Sequence, residues 1–154
     1  MLSHVDWGNL FGSNGGAKGT NKFMFVGLNS SSKYYAHYGS GSYGNFSVTT
    51  TGRHTIDFNK NVLKIDDVSY TYSSQTFTSE YNCLIFGDTG YSGKPGGLIS
   101  MKLYSFKVYD NGALVRDFVP VKRNADNEIG LFDNVGEKFY TNAGTGTFEI
   151  PKEI

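Results

Sequence analysis

Arg53-His54-Thr55-Ile56-Asp57-Phe58 alternates between two kinds of side chain. Successive side chains of an extended chain point to opposite faces, so His54, Ile56 and Phe58 share one side and Arg53, Thr55 and Asp57 the other. That is the pattern of an antiparallel strand with one buried and one wet face. Asn59-Lys60-Asn61 reads as a turn into Val62-Leu63-Lys64-Ile65, and Asp66-Asp67 as a turn into Val68-Ser69-Tyr70-Thr71-Tyr72. The stretch predicts a three-strand meander.

Outward from it, similar short runs recur between turn residues, which is the pattern of a β-sandwich or barrel. Strands are expected at Gly8–Gly12, Lys22–Leu28, Lys33–Tyr38, Asn45–Thr49, Asn82–Phe86, Glu128–Phe132 and Lys138–Tyr140. The strongest hairpin runs from Met101 to Tyr109, turns at Asp110-Asn111-Gly112, and returns over Ala113 to Val121. Asn-Gly serves such a turn because both residues tolerate positive φ. The long apolar run before it predicts a central strand covered on both faces. Apolar residues at helical spacing are missing, so no helix is expected. About a dozen strands then imply two stacked sheets.

The 154 residues fit one domain, 1–154, large enough for a core. Only 38% are hydrophobic, but 12 Phe, 11 Tyr and 1 Trp supply large rings that fill a core with few side chains. Twenty Gly against 3 Pro indicate many turns. Charge balances at 14 basic and 14 acidic residues, which argues against nucleic acid as a partner. No run approaches the ~20 apolar residues of a membrane-spanning helix, so no membrane insertion is expected. The first residues lack the basic start and apolar stretch of a signal peptide. A secreted role would therefore need export within a larger chain or assembly on a particle such as a virion. Cys83, the one cysteine, lies in an apolar run and reads as a small buried hydrophobe.

Catalytic constellations are scarce. Glycoside hydrolysis needs two carboxylates facing one bond. Glu80, Glu128, Glu137, Glu149 and Glu153 form no alternating group on one strand. No serine sits in Gly-x-Ser-x-Gly, and His4, His37 and His54 fall in strand-like contexts. Asp57-Phe58-Asn59-Lys60-Asn61 begins like an EF-hand loop, but Val62 and Val68 replace its Gly and its bidentate Glu. The cysteine and histidine count excludes a standard zinc site. Gly12-x-x-Gly15-Gly16 lacks the strand–loop–helix setting of a phosphate cradle. The chain is read as a non-enzyme without a cofactor, and a calcium ion held by Asp88 and loop carbonyls stays open.

What remains is aromatic and polar. Two long loops, Gly12 to Thr20 and Gly87 to Gly97, are where binding is expected on a rigid scaffold. Tyr91, Asp88 and Lys94 share the second loop, while His37, Tyr38 and Tyr43 crowd the Ser/Gly/Tyr-rich segment from Asn29 to Tyr43. Sugars stack their C–H faces on rings while carboxylates and amides bond the hydroxyls. These six residues are the expected ligand-binding set. Tyr is also a favoured strand residue, so structural roles compete with binding at each position.

Ser100-Met101-Lys102-Leu103-Tyr104-Ser105-Phe106-Lys107-Val108-Tyr109-Asp110-Asn111-Gly112 is followed by Leu114-Val115-Arg116-Asp117-Phe118-Val119-Pro120. Then come Gly130-Leu131-Phe132-Asp133 and Phe139-Tyr140-Thr141-Asn142-Ala143-Gly144-Thr145-Gly146-Thr147-Phe148. This resembles the C-terminal half of laminin-G-like, concanavalin A-like jelly-roll domains of phage tail or virion proteins and gut-bacterial surface proteins. Gly52 to Asp57 and Phe11-Gly12-Ser13 also look like family positions. The resemblance implies a two-sheet antiparallel jelly-roll sandwich, lectin-like glycan binding or adhesion, and an extracellular, cell-surface or virion location. It carries no universal functional residues, and Arg116-Asp117 reads as a structural ion pair. Family members usually have further strands ahead of the Phe-Gly-Ser region. The expectation is a reduced sandwich or an edge completed by another chain, hence a homo-oligomer or a larger assembly. The alternative function is a structural or protein-interaction domain of a virion or surface assembly.

Overall fold

The computed structural model describes residues 7–39, 44, 46–73, 76–144 and 146–150. Among them there is no helix, and every strand pairing is antiparallel. The chain divides into two compact units, Met1–Met101 and Lys102–Ile154.

The first unit holds seven strands in two sheets. β1 (Gly8–Ser13), β2 (Phe23–Leu28), β3 (Tyr34–Gly39) and the two-residue β7 (Leu84–Ile85) form one, in the order β3-β2-β1-β7. β4 (Ile56–Asn59), β5 (Val62–Ile65) and β6 (Val68–Thr71) form the other. This is the meander expected from the alternation. Its turns are made by Lys60 and Asp66, both at positive φ (53° and 51°). Leu10, Val26, Tyr34 and Ala36 of the larger sheet and Leu63 and Ile65 of the smaller join with Phe46 in one apolar core. His54 closes the meander's base: its Nδ1 is 2.8 Å from Asp66 Oδ2 and its Nε2 is 3.1 Å from the Thr51 carbonyl. The His54 bond and the Thr55 N–H together hold the Asp66 carboxyl below its ordinary range.

A bulge in β1 shapes the other side of the larger sheet. Asn9 pairs with Gly27 but Phe11 pairs with Val26, so Leu10 is the extra residue. Leu10 enters the core while Asn9 is buried in a separate polar network. Residues 46–49, expected to be extended, form no strand, and Asn45 lies outside the described residues.

The second unit is a meander of β8 (Phe106–Asp110), β9 (Ala113–Lys122), β10 (Ile129–Asp133) and β11 (Lys138–Tyr140). Asn111 and Gly112 turn the expected hairpin at φ 48° and 84°. One expectation is corrected here. The run before that turn is not a central strand: β8 begins at Phe106, stands at the sheet edge and is largely exposed. Its lysine, Lys107, and its bulge between Val108 and Tyr109 are features of an edge. The ten-residue β9 is an interior strand.

Arg116 and Asp117 do not pair with each other, because neighbours along a strand face opposite ways. Arg116 Nε lies 3.5 Å from Asp133 Oδ2, and Lys107 Nζ lies 3.3 Å from Asp117 Oδ1. Asp133 is fully buried, which pushes its carboxyl up. The N–H groups of Asp117, Val135 and Gly136 and the Arg116 charge outweigh that and hold it below the ordinary range.

Candidate functional site

The two loops singled out in the sequence meet. Ser13 Oγ lies 2.9 Å from Thr89 Oγ1, and Asn14 Nδ2 donates to Asp88 Oδ2 at 3.2 Å. Asp88 is the centre of this junction and is 5% exposed. Its Oδ2 also accepts from Asn9 Nδ2 at 2.7 Å, and its Oδ1 from the Gly90 N–H at 2.9 Å. Asn9 in turn accepts from the Tyr35 hydroxyl at 2.7 Å. Burial and the Asp88 charge push that hydroxyl well above the usual phenol range. The network needs room at Gly27, where a Cβ would fall 2.3 Å from Asn9 Oδ1.

Asp88 and Gly96 exchange both backbone hydrogen bonds, at 3.0 and 2.8 Å, and so pinch the neck of the 87–97 loop. Asp88 is therefore an internal anchor whose oxygens already take three N–H donors. A calcium ion there would have to displace them. Among the described residues no group of three or more His, Cys, Asp or Glu is arranged to hold a metal.

Beyond the neck the loop turns at Gly90–Gly93, where the Gly93 N–H donates to the Gly90 carbonyl at 3.2 Å. Tyr91 stands on that turn and is 45% exposed. Its ring meets Phe23 edge-on, with centroids 5.9 Å apart at 76°. Phe23 in turn contacts His37 and Phe25, at 5.6 and 6.2 Å, and Phe25 contacts Tyr35 at 5.5 Å. Exposed Trp7 meets Tyr35 edge-on at 5.4 Å. These rings lie on one side of β2 and β3 because Phe25 pairs with His37 and Gly27 with Tyr35. Desolvation among them pushes the His37 imidazole down to about 4, so it is neutral at pH 7.

Beside the loop lies an open surface cavity of about 260 Å³ lined by Glu80, Tyr81, Asn82, Leu84, Thr89, Gly93 and Pro95. The Tyr81 hydroxyl donates to the Tyr91 carbonyl at 3.4 Å, and a Cβ on Gly93 would lie 3.0 Å from the Tyr81 ring. Tyr81 thus braces the turn that carries Tyr91. Glu80, exposed at the rim, is ion-paired with Lys22. Cys83 adjoins this segment and is exposed, contrary to the buried role expected of it. Its apolar neighbours Leu84 and Ile85 form β7, while its own position precedes the strand.

Of the six residues expected to bind, His37, Asp88 and Tyr91 belong to one connected region, joined through Phe23, Phe25, Tyr35 and Asn9. Lys94 is exposed on the same loop. Tyr38 is not part of this array: its ring packs on Phe58 at 6.2 Å and Phe77 at 5.0 Å. Tyr43 and His4 lie outside the described residues. Sequence reasoning missed Phe23, Tyr81, Asn9 and Asn14. The alternation Phe23-x-Phe25 against Tyr35-x-His37 was the available signal for the ring array.

No protein-family model, curated protein or solved structure matches this chain.

Proposed function

We propose that this chain is a non-catalytic binding module that recognises a carbohydrate at the 87–97 loop of a concanavalin A-like jelly-roll sandwich. The observation that carries the reading is Tyr91. An aromatic ring 45% exposed is held edge-on by Phe23, on a turn whose neck is fixed by buried Asp88. A sugar offers such a ring its C–H face, and a pre-organised ring loses little entropy on binding. The apolar core joining β1–β3 to β5 supports the sandwich part of the reading.

The absence of catalysis is part of the proposal. Glu80 and Glu128 are committed to Lys22 and Arg123, and Asp88 and Asp133 are buried in hydrogen bonds. An extracellular, cell-surface or virion location follows from a glycan ligand. The assembly reading, a virion or surface interaction domain or a homo-oligomer, is favoured by one specific feature. Val108, Tyr109 and Leu114 are exposed around the β8–β9 turn.

A glycan array tests the first reading. The intact chain is expected to give a saturable response that Tyr91→Ala abolishes. Equal binding by parent and variant overturns it, as does release of reducing ends from any bound polymer.

A further inference from the structure

We infer that the cavity beside the loop takes a single neutral hexose ring, with Glu80 as its hydroxyl acceptor. This rests on the carbohydrate reading and names the part of the site that would choose the sugar.

Size comes first. The cavity is about 260 Å³. Sites that engulf whole drug-sized ligands run to ~300–1,000 Å³, so this one admits one ring and leaves the rest of a glycan outside. The Tyr81 hydroxyl bonds the Tyr91 carbonyl, so the turn that carries the exposed Tyr91 ring also helps to wall the cavity.

The lining supplies both kinds of contact a pyranose needs. Tyr81, Leu84 and Pro95 offer apolar surface to its C–H groups. Lys22 holds Oε1 of Glu80, and the other carboxylate oxygen, Oε2, accepts from a sugar hydroxyl in a charge-assisted bond. Asn82, exposed at the rim, can donate and accept.

Charge then decides between neutral and acidic sugars. A uronic or sialic acid would bring a second carboxylate to Glu80. The cation beside Glu80, Lys22, is already bound to it. Lys94 flanks Pro95 but is not among the lining residues. The lining itself contains a carboxylate and no cation, which favours the neutral sugar over the acidic one.

Gly93 and the Tyr81 ring pack closely together in this wall. Gly93 sits at φ 72°, where an L side chain is strained, and an added Cβ would press the Tyr81 ring. A larger residue there would dislodge Tyr81 and with it the floor.

The test uses the full chain, ¹⁵N-labelled, titrated with methyl glycosides of glucose, galactose and mannose and with the matching uronic acids. At least one neutral glycoside is expected to shift the amides of Tyr81, Asn82 and Gly93 saturably, and its uronic acid to bind roughly tenfold more weakly. Glu80→Gln, which keeps the shape, should weaken the neutral sugar by roughly tenfold. Asn82→Tyr, which crowds the rim, should do so independently. Shifts absent from these amides, equal binding of acid and neutral sugars, or unchanged binding by both variants overturns the inference. If array binding is lost in Tyr91→Ala yet untouched in Glu80→Gln and Asn82→Tyr, the inference fails while the proposed function stands. If the chain binds no glycan at all, both fail.

Discussion

The sheet of β1, β2 and β3 has two faces that solve burial differently. On one, Leu10, Val26 and Ala36 meet Leu63 and Ile65 in apolar contact, with the Tyr34 ring among them. On the other, Asn9, Tyr35 and Asp88 are as deeply buried but must satisfy every donor and acceptor. Burial of apolar surface is non-directional and tolerates small shifts. A buried polar network is directional, and an unmet partner costs about 1–3 kcal/mol. The first face therefore holds the fold, and the second fixes a loop in one geometry. That difference explains why the exposed ring of Tyr91 belongs to the second.

The comparison can be broken at four points. Leu63→Ala should be the most damaging, costing about 2–5 kcal/mol by the cavity it leaves, measured by urea unfolding. A loss no greater than that of a surface substitution would show that this face is not the main core.

Next is acid. His37 is held down to about 4 by desolvation, against 6.5 for an ordinary histidine. The folded state thus binds fewer protons than the unfolded one between those values. Its contribution is whole above pH 6.5 and is lost as pH falls toward 4, by up to about 3 kcal/mol. Asp66 and Asp133 are also lowered, so their contributions are lost only below the ordinary carboxylate range of 3.8. Unfolding at pH 7 and pH 4.5 should differ in the parent and much less in His37→Phe. Equal slopes in the two proteins would contradict the burial of His37.

Third, Asp88→Ala strands the amides of Asn9 and Asn14 and the Gly90 N–H. It should cost about 1–3 kcal/mol and speed protease cleavage within 87–97. Unchanged cleavage would mean the loop is held by other contacts. The smallest effect on stability is that of Tyr91→Ala, within about 0.5 kcal/mol by thermal melting. A larger loss would make Tyr91 a structural residue and weaken the binding reading.

The meander from Arg53 to Tyr72 was legible because alternation and turn residues act locally. The same holds for Asn111-Gly112, whose two positive φ values need those residue types. β7 was not: the expected strand over Asn82–Phe86 shrinks to Leu84–Ile85, because Phe86 turns away at φ 70°. In the site, Asp88 and Tyr91 could be chosen for lying on a Gly-rich loop. Their opposite fates could not be read, since Asp88 is buried by Asn9 and Asn14, 79 and 74 residues away. His37 and Tyr38 were grouped together, yet neighbours on a strand face opposite sides, so the period of two already argued for separating them.

The central claim is that recognition belongs to the braced 87–97 loop rather than to the sheets. Amide hydrogen exchange with and without an array-positive glycan addresses it most directly. The account predicts added protection confined to residues 80–82 and 88–97. Protection spread along β8 to β11, or none in the loop at saturating glycan, would contradict it.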